Sequence, residues 1–143
     1  MHCTTNGSVL AAVLSGDDIV LGRQPTKRPP IYWKLLGGRI KNEETPEQAV
    51  IREVKEESGI DLTGQKLVKL GEFSQESNGG QYIQYLFAVA VSAELVAKHR
   101  AGIVEMIDDG FEKIESTCFK LSQLDGLADM MQKHKDFIRR VQR

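Results

Sequence analysis

The sequence predicts a mixed α/β sandwich, with strands gathered around two helices. Three observations predict it: short apolar runs broken by turn residues, one helix marked by capping residues at both ends, and amphipathic periodicity near the C-terminus. Val9 to Leu14 and Ile19 to Arg23 are apolar runs split by Ser15-Gly16-Asp17-Asp18, which predicts a hairpin. A loop from Gln24 to Ile31, marked by Pro29-Pro30, leads to a short run from Trp33 to Leu36 and then to Gly37-Gly38. Thr45-Pro46-Glu47 reads as a helix start: a hydroxyl N-cap, proline at the first helical position and an acid near the positive end of the dipole. Ser58-Gly59 reads as its stop, because glycine adopts the left-handed turn that ends a helix. Leu67 to Ser74 and Gln81 to Val91 predict strands joined by a turn at Asn78-Gly79-Gly80, Phe111 to Leu121 a further strand, and Leu127 to Val141 a terminal helix.

Composition bounds the function. At 143 residues and 41% hydrophobic the chain is expected to form one domain, residues 1–143, with a sizeable core. A net charge of −1 argues against non-specific nucleic-acid binding through a global basic field. The longest apolar stretch, Leu86 to Val91, is far too short to span a bilayer. Cys3 and Cys118, without a secretory signal, predict reduced thiols and a cytoplasmic location.

The segment from Gly38 to Ile60 carries the chemistry. Gly38, Glu44, Arg52, Glu53, Val54, Glu56, Glu57, Gly59 and Ile60 form the pattern G-x5-E-x7-R-E-(apolar)-x-E-E-x-G-(apolar). At a background usage of roughly 7% per residue type, chance would produce the seven fixed positions about once in a million such chains. At roughly 100° per residue, Glu53, Glu56 and Glu57 share one helix face, and Ala49, Val50 and Val54 lie on or beside that arc. Lys55, Gln48 and Arg52 project elsewhere. A solvated acidic face should lie opposite the apolar stripe; here the carboxylates overlap its edge, which places them at the rim of the core. Like charges at this spacing destabilise a helix by a few tenths of a kcal/mol per pair, and partial burial adds to that cost.

A hard divalent cation ligated by carboxylate oxygens removes the repulsion. The scattered His2, His99, His134, Cys3 and Cys118 make no zinc pattern, so all-oxygen ligation points to Mg²⁺, with Mn²⁺ as a substitute. Mg²⁺ commonly binds substrate phosphates, which suggests hydrolysis or transfer at phosphorus. Arg52 either orients a carboxylate and holds it ionised or makes a plain surface ion pair.

Gly38 to Ile60 resembles the Nudix box at all nine defining positions, over 23 of 143 residues. Trp33-Lys34-Leu35-Leu36-Gly37-Gly38 is similar to the lead-in W-x-x-P-G-G, with Leu36 where proline is usual, and Glu43 stands where glycine often precedes the first glutamate. The resemblance implies a Nudix-type α/β/α sandwich with a mixed sheet. It also implies Mg²⁺-dependent hydrolysis of a nucleoside diphosphate linked to another moiety. By matching position, Glu53, Glu56 and Glu57 would hold metal with help from the Gly37 carbonyl, Arg52 would orient them, and Glu44 and Gly38 would support the site. Glu53 is the in-box candidate for the base that activates water. Some family members use a downstream glutamate, for which Glu105 and Glu112 are the candidates here.

Outside the box, Arg23 reads equally as a phosphate contact or a strand-end surface arginine. Trp33 offers an indole face for a nucleobase, although its place before the glycine turn favours packing. Tyr82 and Tyr85 face opposite sides of one strand, so at most one belongs to the core. The basic tail (Lys133, His134, Lys135, Arg139, Arg140, Arg143) reads as a solvated helix face before it reads as a nucleic-acid patch. The expected partner is a small-molecule nucleotide, a nucleoside triphosphate or sugar nucleotide ahead of ADP-ribose or a dinucleoside polyphosphate. No stable nucleic-acid or membrane partner is expected, and a homodimer is admissible. The rival from another class is a Nudix fold that senses a nucleotide without cleaving it.

Overall fold

The computed structural model describes residues 7–26, 29–77, 80–108 and 112–141. Strand β1 (Gly7–Ser15) turns through Gly16, at φ 61°, into β2 (Asp18–Arg23), with Ser15 paired to Asp18. The left-handed turn explains why glycine stands there. Asp18 ties this hairpin down: its buried carboxylate bonds Lys120 at 2.8 Å and the Arg100 guanidinium. Hydrogen bonding from Lys120, then Arg100, against the cost of burial, holds its pKa below the usual carboxylate value.

Next come β3 (Lys34–Arg39), α1 (Pro46–Ser58), β4 (Val68–Ser77) and β5 (Gly80–Ala90). A 3₁₀ turn (Ala93–Val96) runs into α2 (Ala97–Ala101), followed by β6 (Val104–Asp108) and β7 (Glu112–Lys120). A second 3₁₀ turn (Leu121–Gly126) precedes α3 (Gln132–Val141). The strands form one seven-stranded sheet in the order β4-β5-β1-β3-β2-β7-β6. The β1–β5 pair is parallel and the other pairs antiparallel, so the sheet is mixed.

Strand alternation sorts the side chains between two cores. Val9, Ala11 and Val13 of β1 face one side, where Ala49, Val50 and Val54 of α1 cover them. Leu10 and Ala12 face the other, where Phe137 and Ile138 of α3 pack with Trp33 and Leu86. This is the α/β/α sandwich, with Tyr85 against the first core and Tyr82 on the other face. Complete burial of Val50 and Val54 contributes about 1.5–3 kcal/mol each and outweighs the carboxylate repulsion on the same helix.

The structure departs from the sequence expectation in three places. The chain has a third helix, α2, and the edge strand β6, where no element is expected. Edge strands carry weak patterning, and Ile103 and Ile107 are exposed here. The terminal helix starts at Gln132 rather than Leu127, because Trp33 pairs with the preceding segment: its N–H donates to the Asp129 carbonyl at 2.7 Å and its carbonyl accepts from Met131 N–H at 3.1 Å. His134 and Lys135 are buried, so that part of the basic tail is not a solvated face. The expected turn at Asn78-Gly79-Gly80 and the strand start at Phe111 involve positions outside the described residues, as do Cys3, Arg143 and the side chain of Arg140.

Candidate active site

Helix α1 delivers the carboxylates, and both of its ends are closed. Thr45 Oγ1 accepts from Gln48 N–H at 3.1 Å while Gln48 Oε1 accepts from Thr45 N–H at 3.0 Å, a reciprocal capping box worth about 1 kcal/mol. Gly59, at φ 80°, donates to the Lys55 carbonyl at 2.9 Å and ends the helix. This frame sets the acidic face of α1 against the glycine pair of β3.

The two glycines are needed for different reasons. A Cβ on Gly37 would overlap the Val9 carbonyl of the neighbouring strand, and its N–H donates to Glu57 Oε1 at 2.8 Å. A Cβ on Gly38 would instead strike the Glu53 carboxylate. Gly37 lets the sheet close, and Gly38 makes room for a functional group.

Arg52 organises the rest. Its Nε and Nη2 grip Glu44 at 2.7 and 3.0 Å, its Nη1 bridges Glu53 and Glu56 at 2.9 and 3.0 Å, and Nη2 also reaches the Arg39 carbonyl at 2.9 Å. All five guanidinium N–H donors are therefore used. The helical wheel points Arg52 away from the carboxylates, but the flexible stem brings its planar head back across them. With side-chain exposures of 21% for Arg52, 14% for Glu44 and 12% for Glu53, this is a shielded network, and the surface-pair reading fails. Hydrogen bonding from Arg52, with lesser help from the Lys41 N–H, outweighs burial and keeps Glu44 below its ordinary pKa. Bonds from Glu44 first, and then from Glu56 and Glu53, raise that of Arg52.

Among the described residues four carboxylates (Glu44, Glu53, Glu56, Glu57) gather at the Arg52 guanidinium and the Gly37 N–H, against the glycine pair. The donors are hard oxygens, the set a divalent cation such as Mg²⁺ or Mn²⁺ takes, and no thiolate or imidazole intrudes among them. Among the described residues no three acidic, histidine or cysteine groups already stand in a shared ligand arrangement. The site is thus charged and oxygen-rich, with Arg52 holding Glu53 and Glu56.

The other sequence candidates lie elsewhere. Register puts Glu105 opposite Glu115, and Glu115 opposite Arg23, on the sheet face shared with Leu21 and Ile19, away from α1. Glu105 pairs with Lys113 at 3.6 Å. Glu112 opens β7 on the α1 side and accepts from Gln24 Nε2 at 2.7 Å. Arg23 bonds Glu115 at 2.9 Å and lies 4.4 Å above the Trp33 ring, so it is not brought to the carboxylates. Trp33 is 6% exposed, sits edge-on to Phe119 and is covered by Arg23; it is a packing residue.

Sequence reasoning missed a cleft of about 220 Å³ between the sheet and the start of α3. Gly37 and Gly38 form part of its wall, so it adjoins the carboxylate cluster across β3. Lys34, Tyr82, Gln84 and His134 supply its polar lining. Only the alternation of Tyr82 and Tyr85 hinted at it; His134 read as a tail residue because its partner is 99 positions away.

Comparison with known proteins bears on this arrangement. A family model described as NUDIX domain matches residues 4–141. An 8-oxo-dGTP diphosphatase of Proteus vulgaris is 53% identical over 32 residues, 22% of this chain and 29% of that protein. The NAD-capped RNA hydrolase NudC of Stutzerimonas stutzeri (strain A1501) is 40% identical over 55 residues, 38% of this chain and 20% of that one. The matched stretches thus span less than a third of either relative. The NUDIX domain of Shewanella oneidensis NrtR, solved in complex with ADP ribose, superposes with a TM-score of 0.69 at 14% identity, covering 97% of this chain and 87% of that one. That likeness shows the fold alone.

Proposed function

The chain belongs to the NUDIX domain family, and from that premise we propose that it is a Mg²⁺-dependent pyrophosphohydrolase. Its substrate is a nucleoside diphosphate linked to another moiety, a nucleoside triphosphate or sugar nucleotide first. Family enzymes generally use divalent metal ions. One observation supports the reading: Arg52 spends every donor on Glu44, Glu53, Glu56 and one carbonyl, and with Glu57 held by the Gly37 N–H this gathers four carboxylates into one hard-oxygen donor set against the glycine pair.

Glu53, Glu56, Glu57 and the Gly37 carbonyl would hold the metal. When bound, Mg²⁺ neutralises charge that develops on the phosphoryl oxygens and lowers the pKa of a water. The protein's own groups supply the rest. Arg52 keeps Glu44 ionised and holds the Glu53 carboxylate at 2.9 Å, and the Gly37 N–H fixes the Glu57 carboxylate at 2.8 Å. Glu53, seated against the bare Cα of Gly38, accepts the proton of the attacking water at a carboxylate oxygen. Lys34 and Arg39, at the cleft beside the glycine pair, attract the substrate's phosphates. Among the described residues no helix is long and apolar enough to cross a membrane, and a cytoplasmic site of action is part of this proposal.

A nucleotide panel with Mg²⁺, read as orthophosphate with and without added phosphatase, tests the reaction. Glu53→Gln and Glu57→Gln should each lower kcat by orders of magnitude while the far-UV circular dichroism stays native. Millimolar Mg²⁺ should raise the wild-type Tm, since a ligand that binds only the folded state stabilises it. No turnover across the panel would favour a non-catalytic nucleotide sensor.

A further inference from the structure

The two edges of the sheet are built differently. On β4 the pairing with β5 slips between Lys69 and Gly71, and a Lys69–Glu72 ion pair at 2.7 Å lies along the strand. Bulges and charges of this kind keep an edge from pairing with another chain. Strand β6, at the opposite end of the sheet, has no such slip: its five residues pair one to one with β7, from Val104 with Ser116 to Asp108 with Glu112. Among the described residues its other side meets no strand, so a straight row of backbone N–H and C=O groups stands open. Beside that row lie Ile103 and Ile107, which at 51% and 62% are the most exposed large apolar side chains of the described residues.

We propose that β6 pairs antiparallel with β6 of a second copy of this chain, about a two-fold axis through Met106. Symmetry and charge together select that axis. A closed two-fold pairing sets residues of the same sheet face opposite each other, so the axis passes through a residue and not between two. An axis through Glu105 would set that carboxylate against its own copy, with Glu115 one strand further out on each side, and like charges directly opposite are unfavourable. An axis through Val104 would leave Ile107 opposite Ala101, inside α2. Only through Met106, the midpoint of the strand, are all five residues paired: Met106 opposite itself, Glu105 opposite Ile107 and Val104 opposite Asp108.

Each face of this joint then has matching chemistry. On the side toward α1 the register makes an apolar row of Ile114, Met106, Met106 and Ile114. On the other side Lys113 stands opposite Ile107 and already reaches its own Glu105 at 3.6 Å. In the pair it shares a row with Glu105 of the second copy. With strands about 4.8 Å apart, the two backbones are about 10 Å apart, within the combined reach of a lysine and a glutamate side chain. Two lysines and two glutamates thus alternate around the two Ile107 side chains, which lose their exposure. Met106 also lies beside Gly59, where the acidic helix ends, so pairing steadies the strand on which that helix end rests.

The test is sedimentation velocity of the full chain from micromolar to millimolar concentration. One short strand pair makes a small interface, so the wild type should form a concentration-dependent dimer. Ile107→Glu removes the apolar contact and sets a carboxylate beside Glu105 of the second copy; it should raise the dimer Kd about tenfold or more. Glu105→Lys and Lys113→Glu should each weaken self-association. An equimolar mixture of those two should nevertheless form a heterodimer, because their charges complement each other only across the joint. All three side chains reach solvent, so far-UV circular dichroism should stay native in every variant. A wild type that stays monomeric across the range would overturn the proposal and leave the edge to a strand from another protein. A dimer indifferent to Ile107→Glu, or charge variants that do not associate when mixed, would overturn it as well. The readout is mass, independent of whether the chain hydrolyses nucleotides.

Discussion

Gly37 and Gly38 are neighbours, yet their alanine variants should fail in opposite ways. An alanine methyl at Gly38 would meet the carboxyl carbon and both oxygens of Glu53, the far end of a flexible side chain. Ordinary contact begins near 3.4 Å, so the carboxylate must retreat by close to 1 Å. Helix α1 itself need not move. Stability should drop by about 1 kcal/mol or less, a Tm loss of about 2–4 °C for a chain of this size. A 1 Å misplacement of a catalytic group costs about 100-fold in rate, so Gly38→Ala should fold and lose about two decades in kcat. In Gly37→Ala the methyl would meet the Val9 carbonyl and the Leu10 Cα, backbone atoms of a paired strand that cannot retreat without breaking the β1–β3 ladder. That variant should lose about 3 kcal/mol or more, in the range of severe overpacking, and yield little folded protein. Thermal melts and phosphate-release kinetics on both variants decide the matter. A Gly38→Ala enzyme with wild-type kcat, or one as unstable as Gly37→Ala, would refute the distinct duties assigned to the pair.

Three further outcomes follow from the same geometry. Glu43 holds φ 67°, a left-handed conformation that disfavours a side chain; Glu43→Gly should raise stability by about 0.5–1 kcal/mol, visible as a higher Tm. Glu44 has a folded pKa below its ordinary 4.5, so its contribution is present above that value and is lost as pH falls through the folded pKa; in Arg52→Ala, acid titration of Tm should lose this component, and the variant should be destabilised at neutral pH by about 2–4 kcal/mol. His134 also has a depressed folded pKa, about 4 against 6.5, so the folded state loses stability as pH drops from 6.5 toward 4, by roughly 3 kcal/mol. His134→Asn should remove that part of the acid sensitivity, leaving the smaller share of His99, which burial also keeps neutral.

The legible parts of this chain were those set by local chemistry. Thr45, Pro46 and Gly59 announce the helix ends, and the β1–β2 hairpin is written in Gly16 and its flanking apolar runs. Glu53, Glu56 and Glu57 could be placed on one face by angle alone. What stayed hidden depends on partners distant in sequence. The start of α3 is delayed by Trp33, nearly a hundred residues upstream, which no periodicity in the segment reveals. The Arg52 network escaped because a helical wheel tracks Cβ directions, whereas a guanidinium on a four-bond stem acts some distance from its own Cβ. His134 and Gln84 were illegible as a pair, since each is set by β1 and β3 atoms that the fold alone brings near.

The parallel pairing of β1 with β5 has a consequence for how the protein is made. β1 meets β2 and β3 through nearby segments, but its other edge stays open until the chain through Ala90 exists. Helix α1 lies within that interval, and Val50 and Val54 need the completed face for their burial. The last long-range strand pairing at the centre of the sheet and the final seating of the acidic helix therefore belong to one folding event, and such non-local steps are slow. During synthesis the chain should acquire its hairpin early and its carboxylate cluster late. A nascent or truncated chain that stops short of β5 should lack a competent site even though every residue of Gly38 to Ile60 is present.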